Sequence, residues 1–392
     1  MKQYSFEKFK EERRNKRNIK ITIAVLIFAG IIVLAALYLA NNDFRRFIDI
    51  RVLKKEILES NALHLNVDAE NLSFVGTFNN KIVTVNSGIL TFYTSNGKED
   101  GKSDVLLSNP IYDSEDKYMA IADKGGDKVY LINDRAIKWE NTVEGQISNI
   151  SVNKNGYVCV IVTGTTFESE VLLYDKEGNK LFNFHLATTF AIDCDISSDN
   201  KYVAIAEIDY SGISIQSKAK IISTDSAKAG EDGAIIYTYT GEAGDIITNI
   251  NYQNKNVILC QFDTYILKIS NNKEDQKLYE VTDATLYTDI GIRSGYVKVE
   301  KEESSIFKSN YRLKICDSNG NKERLYAVDG TVKTLVTGKD MIAVVYGNTV
   351  EFVSTNGWLK KRYIGSREIK NVIIEKKIAL IIYKDRVDVI EL

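Results

Sequence analysis

The sequence predicts an all-β protein: a β-propeller of eight four-stranded blades, with seven as the alternative count, carried behind one N-terminal transmembrane helix. Three observations point there. A two-strand phrase recurs about every forty residues, the period of a propeller blade. No stretch long enough for an intervening helix separates the copies, and an uncharged apolar run of membrane-spanning length precedes them all. Sheets built from such a phrase have two apolar faces and stay folded only when stacked on neighbours.

The apolar run occupies 21–40, where Thr22 is the only conventionally polar side chain. About twenty residues at 1.5 Å rise match a hydrocarbon core of ~30 Å. A cleaved signal peptide would have an apolar region of only ~7–15 residues ending in an A-x-A-like site. Here the junction Tyr38-Leu39-Ala40 puts a bulky tyrosine at the −3 position, so an uncleaved signal anchor is expected. The basic tail, 1–20, carries eight Lys or Arg residues, against five in the twenty residues after the run. Positive charge stays on the cytoplasmic side, which places the N-terminus inside and the C-terminal domain outside the membrane. Segment 41–61 has Phe47, Ile50, Leu53, Ile57 and Leu58 near helical spacing and reads as a juxtamembrane stalk helix. The propeller then occupies 62–392.

Composition bounds what this domain binds. The chain carries −2 net; the tail contributes +5 and the stalk +1, which leaves −8 for 62–392. An acidic surface of that size argues against nucleic acid and anionic lipid as partners. One proline and abundant Ile, Val, Tyr and Thr suit strands joined by Asn, Asp and Gly turns. The four cysteines, Cys159, Cys194, Cys260 and Cys316, each fall within an apolar strand pattern and read as buried free thiols. A pair between Cys159 and Cys194, in neighbouring blades, is the one bridge to test.

Eight paired-strand phrases can be counted, centred on 81–94, 117–132, 157–174, 202–222, 256–269, 296–315, 341–353 and 378–390. Short strands such as 147–152, 191–196, 246–252 and 332–336 precede them and would line a central channel. Turns at 175–180, 317–322 and 354–357 lead to outer strands, with Gly or Asn able to take positive φ. The last phrase stops at Leu392, one strand short of a blade, and an unpaired strand edge is a liability. The alternating segment Leu63-His-Leu-Asn-Val67 is expected to supply that outer strand and so close the ring.

Enzyme signatures are sparse. The two histidines, His64 and His185, fall on different outer strands, which removes a histidine-rich metal site and makes a Ser-His-Asp arrangement improbable. The segment from Gly97 to Ser103 is one residue short of a phosphate-binding loop and joins strands where that motif needs a helix. Ser151-x-x-Lys154 and Ser305-x-x-Lys308 have a nucleophile spacing, but that motif works from a helix start. Asp317-x-Asn319-x-Asn321 opens like a calcium loop and then has Lys322 where glycine is required. Hairpin turns explain these segments. No catalytic residue, cofactor or metal site is therefore expected. Asp193 and Asp195 share one face of an inner strand and are the candidates for holding an ion or small polar ligand in the channel. Three long loops, 163–169, 209–217 and 301–310, join second and third strands on one rim, with Phe167, Tyr210, Ile213 and Phe307 at their tips. Apolar anchors within a polar rim are what a protein-binding surface needs.

The phrase Val152-Asn-Lys-Asn-Gly156-Tyr-Val-Cys-Val160, with Ser198-Asp-Asn-Lys-Tyr-Val-Ala-Ile205, resembles that of a family of single-pass membrane proteins of Gram-positive anaerobes with WD40-like or quinoprotein-like propeller ectodomains. The resemblance implies the fold and the location and carries no chemistry. Quinoprotein dehydrogenases have repeated tryptophan docking motifs and an adjacent cysteine pair. Trp139 and Trp358 stand alone here, so that redox activity is not implied. The leading expectation is a non-catalytic, membrane-tethered protein-interaction platform acting in envelope organisation or assembly. The alternative is a solute-binding sensor that signals through the single helix.

Overall fold

Strand Val158–Thr163 shows why the chain stacks as it does. Its side chains alternate between two buried faces. Val158, Val160 and Val162 pack with Ala120, Val129, Leu131 and Trp139 of the preceding sheet. Cys159 and Ile161 pack with Ala191, Cys194, Val203 and Ile205 of the following one. Full burial of each such side chain is worth about 1.5–3 kcal/mol. An isolated sheet would leave both faces wet and lose that gain.

The computed structural model of the protein describes residues 2–65, 72–230, 233–302 and 311–392. It has two units, 1–55 and 56–392. The second is an eight-bladed propeller of antiparallel sheets. The blades span 72–104, 110–142, 146–186, 189–240, 247–280, 285–328, 334–364 and 371–391. All eight phrases counted in the sequence are the second and third strands of a blade, so seven blades are excluded.

Closure of the ring works as expected and has a second part that the sequence did not announce. Strand Leu63–Leu65 pairs antiparallel with Val387–Glu391 and supplies the fourth strand of the eighth blade; 66 and 67 lie outside the described residues. Leu65 joins Ile378, Leu380, Val387 and Val389 of that blade with Ile82 of the first, so the circle is sealed by apolar contact. Just upstream, Glu56–Leu58 lies parallel to the outer strand Leu359–Ile364 and makes the seventh blade five-stranded. The turn between these two strands is pinned by Glu59, which accepts from the Ser366 amide and pairs with Arg386.

Buried carboxylates hold the last blades together. Asp388 is fully buried and accepts from the Tyr363 hydroxyl at 2.8 Å and Arg386 Nε at 2.9 Å, and His64 Nδ1 lies 2.7 Å away. One blade earlier, buried Glu351 accepts from the Tyr326 and Tyr346 hydroxyls at 2.9 and 2.7 Å. Tyr326, Tyr346 and Glu351 recur as Tyr363, Tyr383 and Asp388, each 37 residues on (363 against 326). The Tyr363 hydroxyl also meets that of Tyr383 at 2.8 Å.

The N-terminal unit departs from the expected stalk. α1 runs Lys2–Ala40 without a break, and its 8–40 portion is long and apolar enough to cross a membrane. α2 is only Asn42–Arg51, capped by the Asn41 side chain, which accepts from the Phe44 amide. A helix through 61 is therefore corrected: the chain leaves it at Val52, and 56–58 is a strand. The apolar face assigned to it is corrected as well. Phe47, Leu53 and Leu58 stay exposed while Arg45, Arg46 and Asp49 are buried, because Asp49 gathers the Tyr38 hydroxyl at 2.8 Å and Lys55 at 2.7 Å. The segment 224–233, which reads as solvated loop, contains a third short helix, α3 (Thr224–Ala229), capped by Ser223 and ended by left-handed Gly230.

Two outcomes are expected of the clasp. Asp388→Ala takes the acceptor from the buried Tyr363 hydroxyl and from the half-buried Arg386, and lowers unfolding stability by about 3 kcal/mol or more in chemical denaturation. Glu59, held down to about pKa 2 by its hydrogen bond to Ser366 and then by Arg386, contributes stability that is complete above its unfolded pKa. That contribution fades as pH falls from about 4.5 toward 2. Thermal melts of Glu59→Gln against the parent protein should differ at pH 7 and converge at pH 2–3.

Candidate functional site

The channel is lined by the first strand of each blade. In the third, fourth and fifth blades the pairing register slips at the same place, between Ile147 and Asn149, Ala191 and Asp193, and Ile247 and Asn249. Such a bulge redirects the side chains that follow it. Here it turns Asn149 and Ser151, and Asp193 and Asp195, toward the neighbouring inner strands, while Asn249 and Asn251 line the cavity between them.

These groups fasten one inner strand to the next. Asn149 Nδ2 donates to Asp193 Oδ1 at 3.0 Å, and Ser151 Oγ donates to Asp195 Oδ1 at 3.2 Å. From the fifth blade, the amides of Ile250 and Tyr252 donate to Asp193 Oδ2 and Asp195 Oδ2 at 2.9 and 2.6 Å. Asp113 of the second blade accepts from Val152 of the third at 2.8 Å. Asp289 of the sixth accepts from Thr337 of the seventh at 2.5 Å. The two candidate aspartates are thus brought together with Asn149, Ser151 and Asp113. The signal for this was present in the sequence: polar residues at every second position on strands whose neighbours are mostly apolar.

The fasteners enclose a cavity of about 310 Å³, bounded by Asp113, Glu115, Asp193, Asp195, Arg293 and Lys339 among others. A wider mouth of about 560 Å³ continues from it through Asp113, Arg293 and Lys339 to Asn79 and Glu375. The mouth opens where inner strands end. Asp193 and Asp195 are half-buried and line the cavity. Desolvation pushes them up to about pKa 7 and about 8, and the negative charge of Asp113 adds to this. Amides donating to them pull the other way and lose. Among the described residues, no group of three or more His, Cys, Asp or Glu is placed to hold a metal ion. The four cysteines are free and buried. The Asp317 segment is a hairpin turn whose carboxylate accepts from the amides of Asn319 and Asn321.

The rim where inner strands begin carries the other candidates, on the opposite face of the ring. Phe167 folds back and stacks on His185, with ring centroids 4.2 Å apart. Tyr210 leans on Phe190 at 5.3 Å, donates to Glu168 and stays half-exposed. Ile213 is fully exposed. Phe307 lies outside the described residues. Two exposed apolar residues missed in the sequence join this arc, Ile215 and Ile246. The Gly244 amide donates to the Ile215 carbonyl at 2.8 Å, which brings the two loops together. Both residues flank strand ends, where an apolar residue reads as part of the strand.

Ring, blades and channel define a WD40-like β-propeller. The chain belongs to the family described as "Family of unknown function (DUF5711)", whose model matches residues 59–392. No curated protein matches it. Among solved structures it is similar to the C-terminal WD40 domain of Sif2, at 13% identity and a TM-score of 0.55, covering 80% of this chain and 94% of that one. BamB from Moraxella catarrhalis matches at 12% identity and a TM-score of 0.48, covering 81% and 96%. At 13% identity the likeness to the Sif2 domain is one of fold.

The raised aspartates make a testable linkage. A carboxyl with a folded pKa above its unfolded value stabilises fully below about pH 4, and this is lost as pH rises through about 7–8. Replacing Asp195 by Asn removes that loss. The stability of Asp195→Asn relative to the parent should therefore rise between pH 5 and 9 in parallel urea titrations.

Proposed function

We propose that this protein is a non-catalytic, membrane-tethered interaction platform whose propeller docks a protein partner outside the cytoplasmic membrane, in envelope organisation or assembly. The observation that carries the reading is the apolar arc on the rim where inner strands begin. Tyr210, Ile213, Ile215 and Ile246 stand exposed there on loops held by a rigid ring. Loops on a rigid scaffold are where binding groups concentrate. Aromatic and aliphatic anchors ringed by polar residues form the centre of protein interfaces. The excess of Lys and Arg before the apolar run supports a cytoplasmic N-terminus and an exported propeller.

Three experiments test this. A photocrosslinking residue placed at Ile213 in intact cells should trap a discrete protein, while one at Lys376 on the opposite rim should not. Ile213→Asp should weaken that complex by tenfold or more, the loss expected of a central anchor. An ectodomain that traps nothing and instead processes a cell-wall sugar or peptide would refute the reading. Protease added to spheroplasts should remove a C-terminal tag and spare an N-terminal one.

A further inference from the structure

The deep cavity on the propeller axis is bordered on its mouth side by a side chain that bridges two blades. Lys339 belongs to the seventh blade, yet its Nζ lies 3.3 Å from Glu115 Oε1 and 3.4 Å from the Ser114 carbonyl, both of the second. It borders both the cavity and the mouth. The protein's own ammonium group is therefore seated at the doorway on a carboxylate and a backbone carbonyl, and it is partly solvent-exposed. Beside it, Arg293 is turned toward Asp340 at 3.5 Å.

Behind this doorway acidic side chains outnumber basic ones, though burial holds Asp193 and Asp195 toward their protonated forms. The cavity lining holds four carboxylates, Asp113, Glu115, Asp193 and Asp195, against Arg293 and Lys339, whereas the wider mouth has equal numbers of each sign. The space of about 310 Å³ is at the small end of ligand sites and equals roughly ten waters at ~30 Å³ each. Hard metal cations need six or more converging oxygens. The oxygens of Asp193 and Asp195 already accept from Asn149 and Ile250 and from Ser151, Ile196 and Tyr252, so the acceptors an ammonium group can take are those at the doorway, Glu115 and the Ser114 carbonyl.

We infer that the axial cavity is a binding site for a small organic cation bearing a primary ammonium group, admitted when Lys339 swings away from Glu115. The incoming ammonium replaces that of Lys339 on Glu115 and the Ser114 carbonyl and reaches Asp113 behind them. Lys339 is thus both gate and competitor. The inference stands apart from the rim reading, since site and rim lie on opposite faces of the ring.

Calorimetric titration of the full chain in detergent, with putrescine and spermidine as probes and 1,4-butanediol as the uncharged control, tests it. The amines should bind at one saturable site, and butanediol should not. Lys339→Ala removes the competitor and should tighten binding severalfold, while Asp113→Asn should weaken it tenfold or more. Ile213→Asp should leave the isotherm unchanged, so failure of the rim reading does not touch this one. Absence of amine binding, equal binding of butanediol, or isotherms unaffected by Lys339→Ala would overturn the inference. Should Asp113→Asn melt early, Lys339→Ala alone decides, because its side chain is 41% exposed.

Discussion

Everything in this propeller depends on one constraint: each sheet is apolar on both faces and must be covered twice. Val160 looks back to the second blade while Cys159, next to it, looks forward to the fourth. A linear stack of such sheets would end in two exposed apolar faces, and a ring removes both ends. The cost is that the first and last blades must find each other across more than three hundred residues of chain. Leu65 and the strand around it meet that requirement by joining Val387 and Val389 in a cluster that reaches Ile82.

The closure also uses charge where apolar contact is thin. Asp388 lies at the seam with two phenols, a guanidinium and an imidazole nearby. A buried carboxylate in that position is costly unless every lone pair is used. Tyr363 and Arg386 reach it from the last two blades and His64 from the closing strand, so its set of partners is complete only when the clasp is shut. That links a local hydrogen-bond requirement to correct assembly of the whole ring. The parallel strand Glu56–Leu58 extends the clasp to a second blade, with Glu56 beside Arg362.

The channel shows the same economy turned inward. Polar side chains on the inner strands serve first as fasteners, each accepting from or donating to the next blade. Because they do so deep in the ring, their carboxylates are poorly hydrated and repel one another. The acidic space behind Lys339 is thus a consequence of how the blades are tied. The apolar arc on the far rim rests on loops that tying leaves free.

How much of this was legible follows from the range of each interaction. The eight blades, the Asp317 hairpin and the closing strand near Leu63 were readable because period-two burial and turn chemistry are written into adjacent residues. Asp193 and Asp195 could be singled out by alternation, though not their partners, which lie on other blades. Phe167 and Tyr210 show the limit on the rim: both occupy loop tips, and only the neighbours His185 and Phe190 decided that one folds back and the other stays half-exposed. The fifth strand of the seventh blade, the burial of Arg45 and Asp49, and the reach of Lys339 to the second blade were likewise decided by tertiary structure alone. Sequence determines which faces of each segment are apolar; where a polar or charged side chain finds its partner depends on which distant strands the closed ring brings beside it.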